Sequence, residues 1–398
     1  MIQADTLKPG WKLVKFGDVV RQVKDKVDPK KSGLERYIAG EHMNTDDLRI
    51  RRWGEINDDY LGPAFHMRFK PGQVLYGSRR TYLRKVAVPD FEGICANTTF
   101  VLESKDPNVL LPELLPFIMQ TEAFNEHSIK QSKGSVNPYV NFSDLEWWRF
   151  ALPPIDEQKS FINFFNSIEH TFLSINYLAN TILNLNQSYI ITELSLIIQN
   201  TPNIFLDEIA DIQYGLTINP KRRKAISSIP YLRVANVKRG SFDLNELKYT
   251  GKLDGDETFL LHQGDVLIVE GHADPNEIGR ASVWLENETE MFHQNHLIRV
   301  RCESILMPEY LCFFINSKFG RKYFKSCAKS TSGLSSINST VVKQLKIPVP
   351  TIKKQQEIVE ISREYQKAYN STLNRYNELK IIKQSVLAKL ETTDVQRI

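Results

Sequence analysis

The sequence repeats itself once along its length, and this duplication constrains the fold more than any other feature. Residues 70–75 (KPGQVL) match residues 262–267 (HQGDVL), with an offset of 192 between Gly72 and Gly264. The closing phrases around Pro153 and Pro350 match with an offset of 197. A period of about 195 residues is far longer than the roughly 20–50 residues of solenoid repeats. The chain is therefore predicted to contain two copies of one folded domain.

Further segments match in the same order between these anchors. They are 15–20 (KFGDVV) with 205–210 (FLDEIA), 36–39 (RYIA) with 231–234 (YLRV), 111–115 (LPELL) with 307–311 (MPEYL), 132–136 (SKGSV) with 330–334 (STSGL), and 152–158 (LPPIDEQ) with 349–355 (VPTIKKQ). Short β-rich runs alternate with turn residues inside each copy, which is typical of strands. Each copy is thus predicted to be a mixed α and β domain, at residues 1–152 and 201–349.

A long amphipathic helix is predicted after each copy, at residues 153–200 and 350–398. The first has apolar residues at steps of four and three, the seam of a coiled coil: Phe161, Phe165, Ile168, Phe172, Ile175, Ala179 and Ile182. The second has a looser stripe: Ile358, Ile361, Tyr365, Ala368, Leu373, Tyr376, Leu379, Ile382, Val386 and Leu390. Because each helix alone would expose a wide apolar stripe, we expect the two to pack as an antiparallel coiled coil in an α+β fold.

The first long helix is unusually poor in charge. Between residues 161 and 198 only Glu169 and Glu193 are formally charged. Two interpretations are compatible with this composition: the helix is more deeply buried than its partner, or its other faces bind further protein.

Composition restricts the class of protein without fixing its function. A net charge of +4, from 51 basic and 47 acidic residues, permits a polyanionic partner but does not require one. No apolar run approaches the roughly 18 residues of a membrane span, and residues 1–15 lack an apolar signal core, so we expect a soluble, cytoplasmic protein. The four cysteines are scattered and indicate neither a disulfide framework nor a zinc site.

The order and duplication of these phrases resemble the specificity subunit of type I restriction–modification systems over essentially the whole chain. The resemblance rests on the opening residues 9–13 (PGWKL) and 17–19 (GDV), the strand entry at 264–267 (GDVL), the paired closing phrases and the long helices. Gln73 departs from the pattern, because the phrase usually has Asp after its glycine.

This resemblance implies that each copy is a target recognition domain and that the helices form a spacer. The subunit would be noncatalytic and would recognise an asymmetric bipartite site on double-stranded DNA, with one half-site per domain. It would assemble with two modification subunits that methylate adenine using S-adenosylmethionine. Two restriction subunits would translocate and cut DNA using ATP and Mg²⁺. No cofactor is expected in this chain.

Base recognition needs side-chain donors and acceptors that reach the groove edges, with Arg suited to guanine and Asn to adenine. The first copy offers a basic segment at 77–85 (GSRRTYLRK) after its Val-Leu strand, and its candidate contacts are Arg79, Arg80, Tyr82 and Arg84. A solvated hairpin is the alternative. The glycine- and serine-rich loops, with Lys133 and Asn137 in the first copy and Lys329 in the second, could approach the DNA backbone closely.

The second copy has acidic residues where the first has arginines, at 270–276 (EGHADPN). The two copies are therefore expected to recognise different half-sites. Positive charge in the second copy must come from elsewhere, and the candidate basic runs contain Lys221, Arg222 and Arg223, and then Lys238 and Arg239. Arg233 and Asn236 lie between these runs at the end of a predicted strand and are further candidate contacts. Such charge runs indicate either phosphate contacts or simply a solvated face.

An alternative function of another class is a stand-alone site-specific endonuclease of the PD-(D/E)xK type. Asp90, Glu103 and Lys105 have the spacing of such a metal-binding core, but the second copy has no matching acid-x-Lys. His293 and His296 lack a third metal ligand at a suitable spacing. No Walker-type loop occurs, so ATP chemistry would belong to partner chains.

Overall fold

The computed structural model describes residues 7–56, 61–225, 227–286, 290–331 and 333–391. These form two compact units. Unit 1 comprises Met1–Asn176 and Leu373–Ile398, and unit 2 comprises Tyr177–Thr372. Each unit therefore contains one copy of the repeat together with parts of both long helices.

Unit 1 is built from short strands around small helices. Its elements in chain order are β1 (Lys12–Lys15), α1 (Phe16–Val19), β2 (Val20–Val23), β3 (Arg36–Ile38), β4 (Gly54–Glu55), β5 (Phe65–Phe69), β6 (Val74–Gly77), β7 (Val86–Ala87), β8 (Gly93–Ala96), β9 (Thr99–Ser104), α2 (Leu115–Ile118), α3 (Glu122–Lys130), α4 (Phe142–Glu146) and β10 (Arg149–Leu152). The strands form sheets in the orders β2-β9-β6-β7, β4-β3-β8-β5 and β1-β10. Strand β1 is antiparallel to β10, which joins the beginning of the copy to its end.

Unit 2 repeats this plan. After α5 (Ile155–Asn200) come β11 (Asn203–Phe205), β12 (Ala210–Tyr214), β13 (Ser228–Leu232), β14 (Lys248–Gly251), β15 (Val266–Val269), β16 (Gly271–His272), β17 (Ala281–Val283), β18 (Phe292–His293), β19 (Leu297–Cys302), α6 (Pro308–Asn316), α7 (Lys318–Cys327), β20 (Lys329–Thr331), β21 (Leu334–Ser336), α8 (Ser339–Lys343), β22 (Lys346–Pro348) and α9 (Ile352–Glu391). Its sheets have the orders β12-β19-β15-β17, β14-β13-β18, β16-β21-β20 and β11-β22. The sheet β12-β19-β15-β17 matches β2-β9-β6-β7 strand for strand, which confirms two tandem copies.

The duplicated motif at residues 70–75 and 262–267 forms the same turn before a strand in both copies. Gly72 and Gly264 have φ angles of 82° and 91°, a region that favours glycine. Asp265 Oδ2 accepts a hydrogen bond from the backbone N–H of His262 at 2.7 Å. Gln73 Oε1 does the same for Lys70 at 2.8 Å, so the departure from the family phrase preserves the turn.

A second duplicated residue, the glutamine of the closing phrase, fixes the start of each long helix. The Gln158 side chain accepts a hydrogen bond from Leu111 N and donates to the carbonyl oxygens of Val109 and Pro153, at 2.8–2.9 Å. In unit 2, Gln355 makes the matching bonds at 2.8–2.9 Å: it accepts from Met307 N and donates to the carbonyl oxygens of Ile305 and Pro350. Both amides are buried with their hydrogen-bonding groups satisfied, as buried polar groups must be.

The long helices α5 and α9 pack antiparallel within each unit. In unit 1, the rings of Phe172 and Tyr376 lie 4.7 Å apart, and Lys383 Nζ is 2.7 Å from Glu169 Oε1. In unit 2, Lys354 pairs with Glu193 at 2.9 Å. The predicted antiparallel pair is confirmed. Both formal charges of the charge-poor stretch are neutralised by lysines of α9.

The predicted seam holds for α5 but only partly for α9. The α5 residues Phe165, Ile168, Phe172 and Ala179 are buried. On α9, however, Ile361, Leu373 and Ile382 are at least 38 % exposed. Polar residues occupy part of the buried face of α9, namely Ser362, Thr372 and Lys383, so the predicted apolar stripe coincides with the packed face only in part. No helix in the described part of the chain is both long and apolar enough to cross a membrane.

Candidate nucleic-acid interface

In unit 1 the structure brings together two predicted segments that are distant in the sequence. Tyr139 and Lys133 exchange backbone hydrogen bonds of 2.8 and 2.9 Å and close a hairpin. This hairpin lies against residues 77–85, because Arg80 N donates to the Pro138 carbonyl at 2.7 Å and Val140 N donates to the Ser78 carbonyl at 2.9 Å. We call residues 77–85 and 133–141 recognition surface 1.

The arginines of recognition surface 1 differ in whether their side chains have hydrogen-bond or ion-pair partners. Arg79 is exposed, and its side chain makes no hydrogen bond or ion pair with the described residues. Arg80 has a φ of 51° and its Nε donates to Asn137 Oδ1 at 3.2 Å, so these two predicted contacts are neighbours. Tyr82 is 52 % exposed. Non-glycine residues with positive φ cluster at functional sites, where the surroundings hold the strained backbone in place.

Arg84 and Lys133 are engaged with carboxylates. Arg84, also at a φ of 51°, pairs with Asp46 at 2.8 Å and with Glu122, and it donates to the Gln120 carbonyl. It holds the base of the loop, so its donors are not free in the way the prediction assumed. Lys133 lies 3.0 Å from Asp144, and this contact holds the pKa of the Asp144 carboxyl below its usual value.

A polar groove of about 670 Å³ adjoins Arg79. Its lining includes polar residues that sequence reasoning missed, namely Gln22, Lys24, Asn97 and Asn141. These residues come from separate strands and loops, and no local pattern in the sequence joins them. Amide and guanidinium groups around one groove are the types of donor and acceptor that distinguish base edges.

Unit 2 has the same frame with different side chains. Strand β16 pairs with β21 through Gly271 and Ser336, and β21 pairs with β20. We call residues 270–277 with β20 and β21 recognition surface 2. Glu270 pairs here with His296 at 2.8 Å, and Asp274 Oδ1 accepts from Asn276 N at 2.9 Å. Lys329 is exposed.

Arg222 does not lie where the prediction required it. Its guanidinium is buried and makes two hydrogen bonds to Asp256, at 2.6 and 2.8 Å. It also donates to the carbonyl oxygens of Thr217 and Gly251 at 3.0 Å. Burial opposes ionisation of Asp256, but the Arg222 contact and the Leu253 amide lower the pKa of this carboxyl overall. Arg222 therefore stabilises its loop from the interior. Its guanidinium is not available to contact a phosphate, contrary to the prediction.

Two basic neighbours of Arg222 are exposed. Lys221 and Lys224 are exposed on the same short helical turn. The Arg223 side chain lies outside the described residues.

Asn236 is likewise buried and structural. Its Oδ1 accepts from Arg233 N at 2.9 Å, and its Nδ2 donates to the carbonyl oxygens of Asp243 and Glu246 at 2.8 and 3.1 Å. Its amide is therefore unavailable to a base, which corrects the prediction. Arg233 also has a partner, because its Nη2 donates to the Glu246 carbonyl.

The two basic residues that follow make weak contacts near the surface. Lys238 lies 3.9 Å from Asp243 and remains exposed. Arg239 pairs with Glu277 at 3.4 Å, and burial lowers its pKa despite the attraction of that carboxylate.

Two of the three residues of the endonuclease alternative, Glu103 and Lys105, are engaged in other contacts. Burial disfavours ionisation of Glu103, but hydrogen bonds from Gln73 and Arg21 lower the pKa of this carboxyl overall. Lys105 Nζ donates to the Gly17 carbonyl. Among the described residues, no three His, Cys, Asp or Glu side chains are grouped to hold a metal ion. The stand-alone endonuclease is not supported.

Comparison with known proteins identifies the repeated domain. The family model for the type I restriction modification DNA specificity domain matches residues 8–184 and again residues 200–381. The chain is 27 % identical over 193 residues to the type I restriction enzyme EcoKI specificity subunit of Escherichia coli K12, covering 46 % of this chain and 40 % of that protein. It is 30 % identical over 174 residues to the StySPI specificity subunit of Salmonella potsdam, covering 41 % and 36 %. The match thus spans less than half the length of either relative.

Solved structures share the fold over nearly the whole chain. A chain from a structural study of complex assembly and conformational transition of the type I R-M system gives a TM-score of 0.62 at 17 % identity and covers 98 % of this chain and 99 % of that chain. The type I restriction–modification S subunit from M. genitalium gives 0.56 at 14 % identity, with 98 % of both chains covered. The family model matches both copies and therefore most of the sequence. The chain belongs to the family of type I restriction–modification DNA specificity proteins.

Proposed function

We infer that this chain is the noncatalytic DNA-recognition subunit of a type I restriction–modification complex. It binds an asymmetric bipartite site on double-stranded DNA, and each unit recognises one half-site. The observation that carries this inference is the pair of recognition surfaces, which share one backbone frame and differ in charge. Surface 1 presents Arg79 and Arg80, whereas surface 2 has Glu270 and Asp274 in the matching loop.

The difference in charge has a direct consequence for specificity. Arginine donors suit guanine, whereas carboxylates accept hydrogen bonds from the amino group of cytosine. Two surfaces of opposite character on a common frame would therefore select different bases. A duplicated domain with identical loops would instead select a symmetric site.

The partners follow from the long helices and from the family. The exposed face of α5 carries no formal charge around Tyr177 (77 % exposed), Leu178 (47 %) and Leu185 (51 %). Depletion of charge and enrichment of aromatic residues are typical of protein interfaces. In our proposal this face binds the two modification subunits, which use S-adenosylmethionine to methylate adenine. Two restriction subunits complete the cytoplasmic complex and use ATP and Mg²⁺ to translocate and cut DNA.

The experiment measures binding by the assembled complex carrying Arg79→Ala. Three duplexes are compared: the intact target, the target with the unit 1 half-site scrambled, and the target with the unit 2 half-site scrambled. We expect the variant to lose about 1–3 kcal/mol on the intact target, because a guanidinium contact to a base is lost. The cost of scrambling the unit 2 half-site should remain that of the unsubstituted complex.

Arg149→Ala is the matched control, because Arg149 is an exposed arginine of unit 1 outside recognition surface 1. It should leave all three affinities unchanged. A uniform loss on every duplex with a shallower salt dependence would reassign Arg79 to phosphate contact. Failure of the unsubstituted complex to distinguish the intact from the scrambled duplexes would contradict the proposed function itself.

A further inference from the structure

Both recognition surfaces carry one exposed aliphatic side chain at the same position of the repeat. Val136, in the hairpin of surface 1, is 89 % exposed. Leu334 is the matching residue of surface 2 and is 50 % exposed. Their neighbours along the chain are mostly serine, asparagine, lysine and glycine, and surface 1 also exposes the aromatic side chains of Tyr82 and Tyr139. An aliphatic residue in a polar loop has no role in the core at such exposure.

A glycine lies within two residues of each of these aliphatic residues in the sequence. Gly134 has a φ of 91° and Gly333 a φ of 81°, both in the left-handed region. A Cβ added at Gly333 would meet no described atom within 4 Å, and one at Gly134 would meet its nearest atoms at 3.9 Å. Glycine is therefore used here for backbone conformation, not because space is short. Both segments are rich in small residues, and two-stranded ribbons fit the major groove of B-DNA.

The chemistry of the major groove restricts what an aliphatic tip can contact there. Base edges in this groove present hydrogen-bond donors and acceptors, and the one apolar group among the four bases is the C5-methyl of thymine. A protein partner would require a contiguous apolar patch. Val136 has instead the exposed Arg79 and Lys133 on the same surface, and Leu334 has Lys329 on its own hairpin. Cationic side chains on the same surface as a single exposed aliphatic side chain favour a contact with nucleic acid.

We propose that Val136 and Leu334 each contact a thymine methyl group in the half-site bound by their own unit. The inference rests on the proposed function, and it assigns a specificity-determining residue to each surface. The hairpin places the aliphatic tip against the base edge, while neighbouring donors bind phosphates or other bases. Each half-site then contains at least one thymine whose methyl group contributes to recognition.

The test replaces thymine by deoxyuridine, which removes only the methyl group. The assembled complex is titrated with target duplexes substituted in the unit 1 half-site, the unit 2 half-site or neither. For the unsubstituted complex, deoxyuridine at the contacted thymine should weaken binding about fourfold, the effect of one buried methyl group. Val136→Ala should abolish this sensitivity in the unit 1 half-site only, and Leu334→Ala in the unit 2 half-site only.

Val109→Ala and Leu285→Ala are matched controls, since both side chains are exposed on their own units outside the recognition surfaces. Both should retain the full deoxyuridine effect. An unchanged deoxyuridine effect in Val136→Ala would overturn the proposal. If Val136→Ala lost the same affinity on thymine and on deoxyuridine duplexes, the proposal would also be overturned. That result would indicate that the side chain inserts between base steps. Half-sites without thymine would also contradict it. Absence of sequence-specific binding by the unsubstituted complex would instead refute the proposed function.

Discussion

His293 is an ionisable residue enclosed in the interior of unit 2. Its Nδ1 lies 3.2 Å from the Phe259 carbonyl, and its Nε2 has no hydrogen-bond partner among the described atoms. Burial and the positive charge of Arg299 lower the pKa of the imidazole to about 4. The ring is therefore neutral in the folded protein at pH 7 and has a structural role.

Titration of His293 should make unit 2 less stable in mild acid. The unfolded histidine has a pKa of about 6.5, so the unfolded state binds a proton first as the pH falls. Stability from this group is complete above pH 7 and declines between about pH 6.5 and 4, by roughly 3 kcal/mol in total. In ¹³C-labelled histidine spectra, the signal that His293→Gln removes should not titrate between pH 7.5 and 5.5. A midpoint above pH 6 would contradict this.

Two arginines show which properties of the site can be predicted from the sequence and which cannot. Arg79 and Arg222 are both arginines in basic runs, and the sequence predicts a DNA contact for each. Arg222 faces Asp256, a residue 34 positions away, whereas no described residue pairs with Arg79. The sign of a charge can be taken from the sequence. Whether that charge is already neutralised depends on a distant partner, which no local pattern reveals.

At the scale of elements, the closing phrase of each copy couples a long helix to its globular domain. Gln158 joins the first turn of α5 to the loop before α2, and Gln355 joins the first turn of α9 to the loop before α6. The repeat identified these residues, and the structure supplies the reason for the glutamine. Its amide satisfies one N–H and two carbonyl groups, which a shorter or apolar side chain leaves unpaired.

Gln158→Ala should therefore destabilise unit 1 by about 2–3 kcal/mol, the cost of leaving buried backbone groups without partners. Gln355→Ala should have an effect of the same size on unit 2. Gln187→Ala is the control, since Gln187 is exposed on α5, and it should stay within about 0.5 kcal/mol of the unsubstituted protein. Urea unfolding followed separately in each unit gives these values. A neutral Gln158→Ala would show that the duplicated contact contributes nothing to stability.

Apolar periodicity predicted α5 better than α9, for a physical reason. The buried face of α5 is largely apolar, so its pattern and its packing agree. Lys383 is buried on α9 because Glu169 neutralises it, and Thr372 is buried because its hydroxyl donates to the Ala368 carbonyl. Polar residues with satisfied hydrogen bonds interrupt the apolar pattern while remaining on the packed face.

At the scale of the whole molecule, duplication explains both what the copies share and where they differ. The turn glycines, the closing glutamines and the order of the main sheet recur because they maintain the frame. Recognition surfaces 1 and 2 diverge in charge on that frame. The order of the phrases was sufficient to predict two domains, two helices and the family. The polar groove beside Arg79 was not predictable, since its lining comes from several separate segments.

The most direct test of the central claim is single-molecule sequencing of methylated adenines in the source genome, with and without the gene for this chain. The proposed function predicts one asymmetric motif in which two different half-sites are separated by unspecified bases, and this methylation disappears when the gene is deleted. Restoring the gene with Arg79→Ala should relax only the half-site assigned to unit 1. A palindromic motif, or methylation that is unchanged by the deletion, would contradict the claim that two divergent recognition surfaces in this chain select the DNA site.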